Sequence, residues 1–294
     1  MENRYTRRTA LRNMAGGAAV LATAMLLPEQ LRAAEMKEVK LKGRINHSVC
    51  KWCYNDIPLE DLCKAAKGMG LSSIELLGPD DWPTLKKYDL TCAMAWGAEK
   101  SLTEGFNDPK FHDELVARYE AMIPKVAKAG LNNLICFSGN RNGMSDEQGM
   151  ANCAKGLKRL MKTAEKHKVT LSMELLNSKV NHKDYMCDHT KWGVELAKMV
   201  GSDRFKLLYD IYHMQIMEGD VIRTIQENHP YISHYHTGGV PGRNEIDNTQ
   251  ELYYPAIMQA IVDTGYKGYV AQEFIPKSKT PLVSLQESVM ICDV

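Results

Sequence analysis

A single α/β domain built as a (β/α)8 TIM barrel is the fold class this sequence predicts, and three observations predict it. Short apolar and β-branched runs alternate with helical patterns from residue 45 to the C-terminus. Eight such units fit into about 250 residues, the size of a closed barrel. No Gly-rich dinucleotide fingerprint follows the first β run, which argues against an open doubly wound sheet.

The first β run is 45–49, Ile-Asn-His-Ser-Val, and a helical pattern follows at 58–69. The second run, 73–77, leads into the stretch 81–88, which is poorly helical. The third run, 90–95, precedes a helix at 111–129, where Leu115, Tyr119, Met122 and Val126 recur at three- and four-residue spacing. Runs at 133–138, 170–176 and 205–211 precede helices at 146–167, 189–200 and 220–228. The seventh and eighth runs, 232–237 and 269–274, precede helices at 251–263 and 282–291. Eight strands, each followed by a connection, read as βα units of one parallel sheet. No linker, low-complexity run or close repeat divides them, so residues 35–294 read as one domain.

Residues 1–34 read as a targeting segment instead. Arg7-Arg8-Thr9-Ala10-Leu11-Arg12 is followed by an uncharged, small and apolar run at 14–27, and Leu31-Arg32-Ala33-Ala34 offers small residues to a signal peptidase. The paired arginines resemble a twin-arginine signal, so an exported, periplasmic protein is expected. Membrane contact is expected only through this signal. A retained anchor is the alternative, but the run falls short of the ~20 apolar residues of a full span.

Without the five arginines and two glutamates of that segment, the remainder holds 32 basic and 34 acidic residues, a formal net charge of −2. Such a balance gives no support for a nucleic-acid partner. The eight cysteines form no compact disulfide framework. Most read as buried small hydrophobes. Cys50-Lys51-Trp52-Cys53 has clamp spacing but no second pair, and reads as structural or incidental.

In a barrel of this kind the C-terminal ends of the strands build the active site. The fifth to eighth runs place Glu174, Asp210, His236 and Glu273 near their ends, 36, 26 and 37 residues apart, each step about one βα unit. Alone, a strand-end acid is more often a helix cap, and a lone histidine is more often hydrogen-bonded structure. On four consecutive strands they read as one site for a divalent ion. Three carboxylates and one imidazole suit Mn²⁺ or Mg²⁺, with Co²⁺ or Zn²⁺ as alternatives. His213 stands three residues after Asp210 and could hydrogen-bond a substrate oxygen. Arg243, in the loop Gly238-Gly239-Val240-Pro241-Gly242, could pair with a substrate carboxylate. Glu75, at the end of the second run, and His47, at the end of the first, are further substrate-binding candidates. Trp52 could wall the pocket, Asn177 could orient water or substrate, and His182 receives no role.

These residues carry a resemblance. Met173-Glu174-Leu175-Leu176-Asn177, Tyr209-Asp210-Ile211-Tyr212-His213-Met214-Gln215, His236-Thr237-Gly238-Gly239-Val240-Pro241-Gly242-Arg243-Asn244-Glu245 and Gly265-Tyr266-Lys267-Gly268-Tyr269-Val270-Ala271-Gln272-Glu273-Phe274 resemble the hydroxypyruvate isomerase branch of the xylose isomerase-like barrels. The resemblance spans nearly all of residues 35–294. It implies that Glu174 and Glu273 bind the metal and move protons, that Asp210 and His236 complete the coordination, and that His213 and Arg243 contact substrate. The substrate it implies is hydroxypyruvate, interconverted with tartronate semialdehyde; oligomerisation of identical chains is plausible for such barrels. His236 departs from the bacterial hydroxypyruvate isomerases, which tend to have Gln there, whereas keto-sugar epimerases tend to have His. That leaves a keto-sugar 3-epimerase open, since both reactions remove a proton beside a carbonyl. A barrel endonuclease would need a phosphate-binding surface and more histidines. An exported sugar- or metal-binding protein without turnover would not need a paired acid and base.

Overall fold

The computed structural model describes residues 39–294, and the expected signal at 1–34 lies outside them. Seven strands form one parallel sheet: β1 (Asn46–Cys50), β2 (Ser73–Glu75), β3 (Asn133–Cys136), β4 (Thr170–Glu174), β5 (Phe205–Asp210), β6 (Ile232–Thr237) and β7 (Tyr269–Gln272). Their order is β2-β1-β7-β6-β5-β4-β3. The segment 91–95 joins the two edges, with Thr91 bridging to Ser73 and Ala95 bridging to both Leu77 and Leu134, all in parallel.

The strand expected at 90–95 is therefore present as isolated bridges rather than as a regular strand. Ala93 shows why. Its N–H donates to Ser73 Oγ at 2.9 Å, and its carbonyl accepts from Asn133 Nδ2 at 3.0 Å. Side chains take the two groups that a continuous ladder would use.

The helices are α1 (Leu59–Gly68), α2 (Trp82–Lys87), α3 (His112–Lys128), α4 (Asp146–His167), α5 (Thr190–Val200), α6 (Ile211–Met217), α7 (Val221–Asn228), α8 (Tyr254–Asp263) and α9 (Pro281–Cys292). In α4, Ser145 Oγ accepts from the Gln148 N–H, acids fill the first turn, and Lys168 closes the helix at φ +57°. Its buried stripe of Cys153, Leu157, Leu160 and Ala164 faces inward, each leucine contributing about 1.5–3 kcal/mol. α3 packs on α4 and α4 on α5, as consecutive helices of a βα series do. The weakly helical stretch at 81–88 holds the short α2, and α6 is a helix the sequence did not announce. Among the described residues no helix is long and apolar enough to cross a membrane.

All seven strands run the same way, so their C-terminal ends share one rim. Glu174 ends β4, Asp210 ends β5, His236 is the penultimate residue of β6, and Glu273 follows β7 directly.

Candidate metal centre

Strand register brings these four side chains together. Asp210 pairs with His236 across β5 and β6, and Thr237 pairs with Gln272 across β6 and β7. Glu174, Asp210, His236 and Glu273 each offer a donor atom, and these atoms all lie within 4.8 Å of one another. All four residues are buried.

His236 is the hub. Its Nδ1 lies 2.7 Å from Glu273 Oε2 and 3.4 Å from Glu174 Oε1, and its Nε2 lies 2.9 Å from Glu75 Oε1. Trp52 Nε1 donates to Glu273 Oε1 at 2.8 Å. Arg243 Nη2 donates to Glu273 Oε2 at 2.5 Å and to Asp210 Oδ2 at 3.2 Å. Asp210 also caps α6, its Oδ1 accepting from the His213 N–H at 3.1 Å. One residue thus ends a strand, starts a helix and faces the site.

Burial pushes carboxyls up, and here the neighbours sort them. Glu174 is raised by burial and then by the charge of Glu273. Asp210 is pushed up by burial to about 8, although Arg243 pulls it down. Glu273 also feels burial, yet Arg243 and His236 together hold it well below the usual carboxylate range. The residues fit a divalent cation. Glu174 Oε1 is a buried oxygen without a hydrogen bond, and three crowded carboxyls with one imidazole are the donor set a hard or borderline ion takes. A ligand nitrogen must carry a free lone pair, so cation binding and a proton on His236 Nδ1 exclude each other.

His213 lies beside this group with a fixed tautomer. Asn177 Oδ1 accepts from the Val180 and Asn181 N–H groups, at 3.0 and 2.9 Å. Its amide nitrogen therefore faces His213 Nδ1, at 2.6 Å, and must be the donor. The proton of a neutral His213 then sits on Nε2, a buried atom with no hydrogen-bond partner, 3.6 Å from Asp210 Oδ2. Burial and the charge of Arg243 hold this histidine well below its usual range, so the ring is neutral.

Arg243 adopts φ +58° in a tight loop after β6. The Gly239 N–H donates to Asn244 O at 2.8 Å, and the Ile275 N–H donates to the Arg243 carbonyl at 2.6 Å. Trp52 and Tyr212 flank its guanidinium, with ring centroids at 5.2 and 5.5 Å.

Two expectations need correction. His47 is not brought to the site: it is buried, and its nearest ionic partner is Asp293 near the C-terminus, with Nε2 3.8 Å from Oδ1. Successive strand side chains alternate, and it is Cys50 of the same strand that reaches His236, Sγ to Nε2 at 3.8 Å. Glu75 reaches the cluster, but it is fully buried and its Oε1 is engaged by His234 at 2.7 Å as well as by His236. It is no open substrate contact. Burial alone would raise it; the two imidazoles hold it at about 2.

Tyr212, His234 and His182 also stand at the site, beside Arg243, Glu75 and His213 respectively, and no sequence motif marks them as site residues. His234 was legible in principle, because residues two apart on a strand share a face. His182 packs edge-on against the His213 ring, centroids 5.2 Å apart, with a buried, unpartnered Nε2. Nothing in the local sequence marks that.

A family model described as xylose isomerase-like TIM barrel matches residues 63–289. A human protein named putative hydroxypyruvate isomerase is 33% identical over 37% of this chain, a match spanning 39% of that protein's length. Its mouse counterpart, under the same name, is 24% identical over 86% of each chain. A 2-oxo-tetronate isomerase of Cupriavidus necator is 33% identical over 38% of this chain and 42% of its own. Among solved structures, an AP endonuclease, family 2, from Brucella melitensis superposes with a TM-score of 0.72 at 22% identity, covering 83% of this chain and 97% of that one. A D-psicose 3-epimerase with D-tagatose from Clostridium cellulolyticum H10 gives 0.67 at 16% identity, covering 85% and 100%. At such identities the two structures show the fold alone.

Proposed function

Because the chain belongs to the xylose isomerase-like TIM barrel family, we propose that it is a divalent-metal-dependent isomerase of a small 2-keto acid, hydroxypyruvate and tartronate semialdehyde being the pair it interconverts. The observation that carries this reading is the convergence of Glu174, Asp210, His236 and Glu273 beneath the guanidinium of Arg243. Relatives named putative hydroxypyruvate isomerase and 2-oxo-tetronate isomerase support a carboxylate-bearing substrate. Export through the segment 1–34 is part of the same proposal.

A proton beside a carbonyl is weakly acidic, so its removal needs a base in reach and a stabilised oxyanion. Bound by the four donors, a cation such as Mn²⁺ or Mg²⁺, or else Co²⁺ or Zn²⁺, supplies Lewis-acid stabilisation of that oxygen. Glu174 and Glu273, carried by β4 and the end of β7, face the same space. One takes the proton from the hydroxymethyl carbon, and a proton is returned to the former carbonyl carbon. The hydroxyl proton of the first carbon moves to the oxygen of the second. His213, neutral with its Nε2–H facing the site, stabilises the oxygen that carries the charge between these steps. Arg243 holds the substrate carboxylate.

The second reading is a keto-sugar 3-epimerase, favoured by an imidazole at position 236. It returns the proton to the opposite face of the same carbon.

Solvent deuterium incorporation separates these. The metal-loaded protein is incubated with hydroxypyruvate, tartronate semialdehyde and free ketoses, with Glu174→Gln and Glu273→Gln alongside. Exchange in the acids, lost in both variants, supports the isomerase; exchange in ketoses alone supports the epimerase. No exchange in any compound by protein with bound metal overturns both in favour of a binding protein.

A further inference from the structure

Glu75 has no function in the chemistry above, yet it is a fully buried carboxylate inside the barrel. We infer that Glu75 is a positioning residue that fixes the tautomer of His236, holding the proton on Nε2 so that the Nδ1 lone pair is presented to the cation. The inference rests on the reading of Glu174, Asp210, His236 and Glu273 as a metal centre.

The two ring nitrogens of His236 face opposite environments. Nδ1 faces Glu273 and Glu174, which belong to the donor group; Nε2 faces Glu75 Oε1 at 2.9 Å, from the other side of the ring. A neutral imidazole has one N–H and one lone pair. An ionised carboxylate only accepts. Glu273 Oε2 accepts a proton from Nδ1, at 2.7 Å, until a cation at Nδ1 displaces that proton; the hydrogen left on Nε2 then points at Glu75 Oε1, 2.9 Å away, which accepts it and fixes the ring. A metal-ligating histidine usually gives its second nitrogen to a carboxylate in this way, which orients the ring and makes the ligand more basic.

Two neighbours and full burial make this fixed rather than adjustable. His234 Nε2 lies 2.7 Å from the same Oε1, so Glu75 is gripped by two imidazoles carried on one strand, their rings 5.1 Å apart and nearly perpendicular. Cys50 Sγ sits 3.9 Å from Glu75 Oε1 and 3.8 Å from His236 Nε2, closing the remaining side with a weak partner. Glu75 and His236 have no exposed surface, so the contact is closed to bulk solvent and to substrate. The carboxylate is too deep to bind substrate and is placed to act through His236.

The rival arrangement is a second cation held by Glu75, His234 and His236, whose donor atoms also lie within 4.8 Å of one another. The distances of 2.7 and 2.9 Å between Glu75 Oε1 and the two nitrogens are hydrogen-bond lengths and favour direct contact.

The test is ¹⁵N NMR of the full chain, histidine-labelled and loaded with Cd²⁺, with His236 assigned by its loss in His236→Gln. The expected spectrum has cadmium coupling on Nδ1 and a proton on Nε2. Chelator competition on the Glu75→Gln variant is expected to show a 10–100-fold weaker Cd²⁺ affinity. Cadmium on Nε2, two equivalents bound, or unchanged affinity in Glu75→Gln overturns the assignment while leaving the metal centre standing. No bound cadmium overturns both. Should Glu75→Gln fail to fold, the wild-type spectrum decides alone.

Discussion

Arg243 and Glu273 are joined across two loops, Nη2 to Oε2 at 2.5 Å, and the same nitrogen also reaches Asp210. The guanidinium is thus tied to two of the four candidate ligands while the rings of Trp52 and Tyr212 hold its faces. A lysine could supply the charge but neither the fork nor the stacking. Hydrogen bonds to charged groups contribute about 1.5–3 kcal/mol each. Arg243→Gln is therefore expected to lower kcat/KM for hydroxypyruvate by roughly 10–100-fold, with Arg243→Lys recovering part of the loss. Steady-state kinetics on the acid and on a neutral ketose check this. An equal loss on both would show that Arg243 serves the carboxylate ligands and not a substrate carboxylate.

The loop that carries Arg243 depends on Gly239. A Cβ there would stand 2.2 Å from the carbonyl oxygen of Glu245 and 2.8 Å from that of Asn244. Both obstacles are backbone, and Glu245 is itself anchored, its Oε1 accepting from the Lys277 and Ser278 N–H groups. The loop cannot yield locally. Gly239→Ala should destabilise the protein by about 1–3 kcal/mol, as overpacking does, and displace Arg243, lowering kcat/KM more than tenfold. Gly68→Ala, with nothing within 4 Å of the added carbon, serves as the control and should keep both Tm and activity. A Gly239→Ala protein with wild-type Tm and kinetics contradicts the argument.

His47 makes stability depend on pH. Burial lowers it from the usual 6.5 to about 4, against the opposing pull of Asp293. The folded state therefore binds this proton less readily than the unfolded chain. Stability is fully present above pH 6.5 and is lost as pH falls toward 4, by up to about 3 kcal/mol for the whole window. Denaturant unfolding at pH 7.5 and pH 4.5 is expected to show a larger loss in wild type than in His47→Leu. Parallel losses in the two proteins would mean that other groups set the acid limit.

What the sequence made legible follows its periodicities. β6 at 232–237 and α4 at 146–167 run as their patterns require, because an uninterrupted period leaves one way to bury the apolar face. The segment 90–95 reads as a strand but is not one, since Ser73 and Asn133 take the backbone groups of Ala93 from outside the local sequence. Glu174, Asp210, His236 and Glu273 could be found together because each occupies a strand end, and parallel strands share a rim. His47 is the second residue of β1 and not its end, and the alternation that sends Cys50 to His236 turns His47 toward Asp293. Short α6 was hidden because Asp210 serves both as cap and as candidate ligand. The contact of His182 with His213 depends on how a loop folds back, which no local pattern encodes.

Cys50 and Cys53 are separated in sequence by two residues but differ in what a reagent can reach. All eight cysteines are free; Cys50 is wholly buried, and Cys53, in the turn after β1, is partly exposed. Burial raises both thiols well above their usual range; the carboxylate of Glu273 raises Cys53 further, against Arg243, and in Cys50 it works against the pull of His236. The thiolate is the nucleophile, so both should be poor ones at neutral pH. Iodoacetamide at pH 7.5, followed by mass spectrometry, is expected to modify Cys53 slowly and Cys50 only at the rate of unfolding. Denaturant should then abolish the difference, because it removes the burial that creates it. Rapid labelling of Cys50 in the native protein would show that the inner face of β1 opens to solvent, and with it the contact between Cys50 and His236 would lose its structural meaning.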